Sequence, residues 1–118
     1  MVVGPEDTAR ALRSGQVDVL GTPRLVALCE EACCRAVDGD LPGDNTTVGM
    51  KLRLDHMQPS PVGATLIAEA TLTKIEGRRL TFTVSASDDR GLVAVGKVVR
   101  VIVDRDRFMN KCGSLTES

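Results

Sequence analysis

Apolar residues in the first third of the chain recur at helical spacing. Leu25, Leu28, Cys29, Ala32, Cys33 and Ala36 fall on one stripe at about 100° per residue. Thr22 is a residue type that caps helix N-termini, Pro23 suits the first helical position, and Gly39 can end the helix after Asp38. Beyond residue 46 the period shortens to two. Val48, Met50, Leu52, Leu54 and His56 alternate with Gly49, Lys51, Arg53 and Asp55, which predicts a strand over 46–57 with the first set on one face. Gln58-Pro59-Ser60-Pro61 and Gly63 break it. Residues 64–75 read as a second strand and Glu76-Gly77 as a tight turn. A third strand over 78–87 alternates through Leu80, Phe82, Val84 and Ala86, and a valine-rich fourth covers 92–103. Upstream of the helix, 7–13 has the length of a short helix stopped by Ser14-Gly15, and 17–20 reads as extended.

One long helix followed by four strands with short connections favours antiparallel pairing, and the helix stripe needs a sheet to cover. The expected fold class is α+β, with the helix lying across a curved antiparallel sheet. No repeat or linker divides the chain, so one domain over 1–109 is expected, followed by a polar tail over 110–118 that frays. With 118 residues and only Phe82 and Phe108 as aromatics, the core is small, and further burial through oligomerisation is expected.

Fifteen basic residues against sixteen acidic ones leave a net charge of −1. Such a chain has no field to attract nucleic acid or an anionic membrane, and without Tyr or Trp it has no base-stacking platform. No apolar run approaches the ~20 residues of a membrane span, and the first residues lack a signal-peptide pattern. Of the four cysteines, Cys29, Cys33 and Cys34 crowd the helix while Cys112 stands apart, with no paired C-x-x-C units and a single histidine. That spacing predicts no metal site. Small thiols in a reducing cytoplasm are the more economical account.

The single histidine, His56, continues the apolar alternation, so a group that titrates near neutral pH is placed against the core. Taken alone, the strand pattern favours a satisfied core histidine; chemistry requires a second polar group on another inward face. The helix offers one. Glu31 points to the polar side, where Arg35 at i+4 is its expected ion-pair partner. Glu30 lies at the margin of the apolar stripe with no basic residue at i±3 or i±4. It either snorkels to solvent or finds a hydrogen-bonding partner across the fold. Thr22 likewise has two readings: a cap, or a hydroxyl beside free helix amides that would hold an oxyanion.

The run Val19-Leu20-Gly21-Thr22-Pro23-Arg24-Leu25-Val26-Ala27-Leu28-Cys29-Glu30 resembles the start of the central helix in the fluoroacetyl-coenzyme A thioesterase-like family of hotdog-fold proteins. The resemblance continues through Thr47-Val48-Gly49, the strand ending at His56, Pro61-Val62-Gly63-Ala64, Glu76-Gly77-Arg78-Arg79-Leu80, residues 96–100 and residues 104–108. It implies a hotdog fold, a long central helix wrapped by an antiparallel sheet, and a homodimer with sites at or near the subunit interface. It also implies hydrolysis of a small acyl-CoA thioester, with coenzyme A entering only as part of the substrate. The family's catalytic threonine, glutamate and histidine match Thr22, Glu30 and His56; its substrate-contacting glycine and arginine match Gly49 and Arg100. By pattern alone Gly49 could equally mark a bulge, and Arg100 a strand-edge charge. Fluoroacetate-specific members carry lid phenylalanines before the helix, and this chain has none over 7–21; many members have a histidine where Val98 stands. The competing expectation is a non-catalytic hotdog module that binds an acyl thioester or a small carboxylate.

Overall fold

The computed structural model describes residues 1–113. Helix α1 spans Thr22–Ala36 and is followed by strands β1 (Asn45–His56), β2 (Ile67–Glu76), β3 (Arg79–Asp88) and β4 (Gly91–Asp104), with helix α2 (Arg105–Cys112) at the end. The strands form one antiparallel sheet in the order β1-β4-β3-β2. Gly77 takes the positive φ of 61° that the tight β2–β3 turn requires.

The helix stripe meets the sheet as its period demands. Leu25, Leu28, Cys29, Ala32 and Cys33 are buried against Leu80, Phe82, Val84, Ala86 and Val98. Each fully buried large side chain, such as Leu25 or Phe82, contributes about 1.5–3 kcal/mol. The helix packs chiefly on β2 and β3 and only lightly on β1. The inner face of β1 therefore stays partly open, and Leu52 remains 36% exposed.

Several local expectations are corrected. Residues 9–13 form turns rather than a helix, after a single 3-10 turn at Pro5–Asp7. The N-cap of α1 is Gly21, so Thr22 is the first helical residue and its hydroxyl makes no capping bond. The helix ends at Ala36, and Gly39 (φ 82°) lies in the turn beyond it. Glu31 pairs with Arg24 at 3.4 Å instead of Arg35, because Arg24 also reaches towards Asp7 at 3.5 Å and is held on that side. Helix α2 extends through Cys112, into the stretch expected to fray; its N-cap Asp104 accepts the Arg107 amide. The remainder of that tail, 114–118, lies outside the described residues.

The expected single face of β1 is also broken. Gly49 pairs with Arg100 and Lys51 with Val99, leaving Met50 as a bulge between them. Residues directly opposite in a ladder share a face. Leu52 thus joins buried Val98, whereas Val48 opposes Val101 on the other face. The slip brings Thr47 and Gly49 onto the helix side together with Leu52 and His56.

Candidate active site

His56 ends β1 opposite Ala94, and its side chain turns towards the first residue of α1. The Thr22 hydroxyl oxygen and His56 Nδ1 are 2.8 Å apart, in hydrogen-bond contact. The hydroxyl is free for this contact because the helix start leaves it out of the capping role. His56 Nε2 is the one buried side-chain nitrogen or oxygen among the described residues that has no hydrogen-bond partner. Buried polar atoms are nearly always satisfied, so an orphan on an imidazole is a functional signal. In the tautomer whose Nδ1–H donates to Thr22 Oγ1, Nε2 presents an unshared lone pair, which is the arrangement of a general base.

Glu30 lies eight residues further along α1, about 12 Å at 1.5 Å per residue. Its Oε2 accepts from Arg100 Nη1 at 2.7 Å. Arg100 is 7% exposed, and its other donors go to Thr47: Nε to the hydroxyl at 2.9 Å, Nη2 to the backbone carbonyl at 3.0 Å. A buried guanidinium needs such a complete set of acceptors. Gly49 makes room for the pair, since a Cβ there would sit 2.7 Å from Glu30 Oε2.

The five residues singled out in sequence thus form two clusters within the chain. Thr22 and His56 meet at one end of α1; Glu30, Gly49 and Arg100 meet at about its middle. Glu30, which lacked a partner on its own helix, finds Arg100 across the fold, and within the chain its carboxylate is bonded there and not to His56. Arg100 is no strand-edge charge, because β4 is flanked by β1 and β3. Thr47 was not singled out. It shares a face with Gly49, but only the structure shows that this face is inward. Val98, where many family members have a histidine, is buried against Phe82 and Leu52.

Four thiols are unpaired: Cys29 and Cys33 are buried, Cys34 and Cys112 exposed. Burial, and to a lesser degree the Glu30 carboxylate, pushes the Cys29 thiol up. Burial lifts Cys33 to about 11 despite nearby Arg100. Neither is a nucleophile at neutral pH. No helix among the described residues is long and apolar enough to cross a membrane.

Comparison with known proteins places this geometry. A hot-dog-like protein from Thermanaerovibrio acidaminovorans superimposes with a TM-score of 0.86 at 22% identity, covering 95% of this chain and 83% of the other, which shows the fold. A mutant of the fluoroacetyl-CoA-specific thioesterase FlK, solved in complex with fluoroacetate and CoA, superimposes with a TM-score of 0.85 at 30% identity over 92% of each chain. The fluoroacetyl-CoA thioesterase of Streptantibioticus cattleyicolor is 31% identical over 116 residues, which is 93% of this chain and 84% of that one. The fold and the likeness to these relatives define a hotdog-fold thioester hydrolase. The family profile described as fluoroacetyl-CoA-specific thioesterase matches residues 3–106, and the chain belongs to that family.

Proposed function

We propose that the chain hydrolyses short acyl-CoA thioesters, with His56 as general base, Thr22 orienting its ring and Glu30 as the carboxylate of the reaction. The observation that carries this reading is the His56 ring. One nitrogen is pinned 2.8 Å from the Thr22 hydroxyl, and the other is buried with no partner in the chain. Pro23 has no N–H and the Arg24 amide donates to the Gly21 carbonyl. At the start of α1 it is therefore the Thr22 amide that polarises the thioester carbonyl and holds the oxyanion as it forms. Where water attacks the thioester directly, His56 Nε2 takes its proton and returns it to the departing thiolate as the C–S bond breaks.

Glu30 is oriented by Arg100, so Arg100 acts on substrate through Glu30. Two routes share this placement: Glu30 attacks the carbonyl to give an anhydride that water cleaves, or it orients the attacking water. A single turnover in oxygen-18 water separates them, because only the first leaves label in the Glu30 carboxylate.

The working unit is a homodimer. β1 is one of the two edge strands of the sheet, twelve residues long, and carries exposed Met50 and Leu52 with Met57 just beyond. Such an edge is a template for a second copy. A two-fold axis between Leu52 and Arg53 sets Gly49 of one β1 across from the partner's His56, since both are equidistant from it. Glu30, which overlies Gly49, then approaches the His56–Thr22 pair of the other chain. The free thiols suit a reducing cytoplasm.

Fluoroacetyl specificity is not carried over. The chain has no phenylalanine over 7–21, so nothing there matches the family's aromatic lid. The test is hydrolysis of a panel of short acyl-CoA esters. Turnover should fall about 10²–10⁴-fold in His56→Ala and at least ~10²-fold in Glu30→Gln, with the fold retained. Saturable binding without turnover by the unaltered protein would instead make it a binding module.

A further inference from the structure

His56 and Thr22 belong to different elements, and their 2.8 Å contact requires the ends of those elements to be fixed relative to one another. One residue joins them. Ser60, four residues after His56, is fully buried between Pro59 and Pro61. Its carbonyl accepts the Leu20 amide at 2.8 Å, two residues before Thr22. Its hydroxyl donates to Asp88 Oδ2 at 2.9 Å, at the end of β3. Asp88 is tied in turn: Oδ1 accepts the Arg90 amide at 2.8 Å, and Arg90 Nη2 donates to the Pro59 carbonyl at 2.6 Å. The Met57 and Gln58 amides both donate to Val93 O, at 2.8 and 3.3 Å. The chain leaving His56 is thus anchored to the β3–β4 turn on one side and to the approach to Thr22 on the other.

Resting on the thioesterase reading, we propose that Asp88, acting through Ser60, is a positioning residue for the His56–Thr22 pair. The side chain of Asp88 is 2% exposed, and its carboxylate is bonded to Ser60 and Arg90 rather than to His56 or Thr22. Its carboxylate is held below the usual range, first by the Arg90 amide and then by the Ser60 hydroxyl and the Arg90 guanidinium. Such a charge is a rigid acceptor at working pH. An error of about 1 Å in the placement of a catalytic group costs on the order of 10²-fold in rate, which is the scale at which such an anchor matters.

His56 is the single histidine, so its imidazole nitrogens can be read by NMR without ambiguity of assignment. In Ser60→Ala and Asp88→Asn the imidazole signals should move towards those of a free histidine. In the same variants kcat should fall about 10-fold or more with KM little changed. The double variant should lose no more than the worse single, because both remove one bond. Ser60→Thr, which keeps the hydroxyl, should restore both readouts, and Asp89→Asn on the exposed neighbour should change neither. Arg90→Ala, a surface truncation, loosens Pro59 from the same clamp and should move the imidazole signals even if the Ser60 variant does not fold. Unmoved imidazole signals in folded Asp88→Asn and Arg90→Ala would overturn the proposal. Because the imidazole is read without substrate, absence of turnover in the unaltered protein would count against the thioesterase reading alone.

Discussion

Gly49 shows how much a single missing Cβ can decide. The Glu30 carboxylate occupies the space that an alanine methyl would need, 2.7 Å from where that methyl would be. Gly49→Ala must push Glu30 off Arg100 or shift the strand. Turnover should drop by about 10²-fold while the protein stays folded, as steady-state kinetics and a melting curve can check. Unchanged turnover would mean that Glu30 does not act from this position. In the sequence Gly49 had two readings, bulge or ligand contact. The bulge is its neighbour Met50, and the glycine serves a close approach. His56 was legible from period-two alternation, although Val48, counted on the same face, lies on the other. Arg100 was legible only by resemblance, because its partners Glu30 and Thr47 lie 70 and 53 positions away and no local pattern encodes such pairing.

At the scale of elements, the long helix and all four strands could be read from hydrophobic period and turn residues, with their ends shifted by a few residues. What the period hid were the register slips. A bulge adds one residue without changing composition, yet it reverses every side chain beyond it. Helix α2 was missed because Arg105–Cys112 is too short to carry an extended apolar stripe and buries no residue; its signals are the Asp104 cap and the turn at Gly113. The helix stripe makes a direct prediction about thiols. Cys34 and Cys112 are exposed, while burial keeps Cys29 and Cys33 protonated, the latter to about pH 11. At pH 8 an alkylating reagent should add two adducts to the native protein and four to the unfolded one, as counted by intact mass. A third rapid adduct on native protein would contradict the packing of α1 on the sheet.

At the scale of the whole molecule, the two clusters along α1 are the fact to be explained. Within one chain Thr22 and Glu30 stand eight residues, about 12 Å of helix, apart, and the Glu30 carboxylate is bonded to Arg100 and not to His56. In the proposed dimer, an isologous pair of β1 edges would remove that separation by lending Glu30 of each chain to the His56 of the other. Composition foresaw part of this, since a chain with two phenylalanines in 118 residues builds a small core and leaves apolar surface to bury elsewhere. It gave no register. The account is tested most directly by mixing two inactive proteins, Glu30→Gln and His56→Ala, under conditions that exchange subunits, and measuring short acyl-CoA hydrolysis. Half of the dimers formed are hybrids, and each hybrid has one site with both residues intact, so activity should recover to about a quarter of the unaltered enzyme's. A mixture as inactive as its components would contradict a site shared between chains.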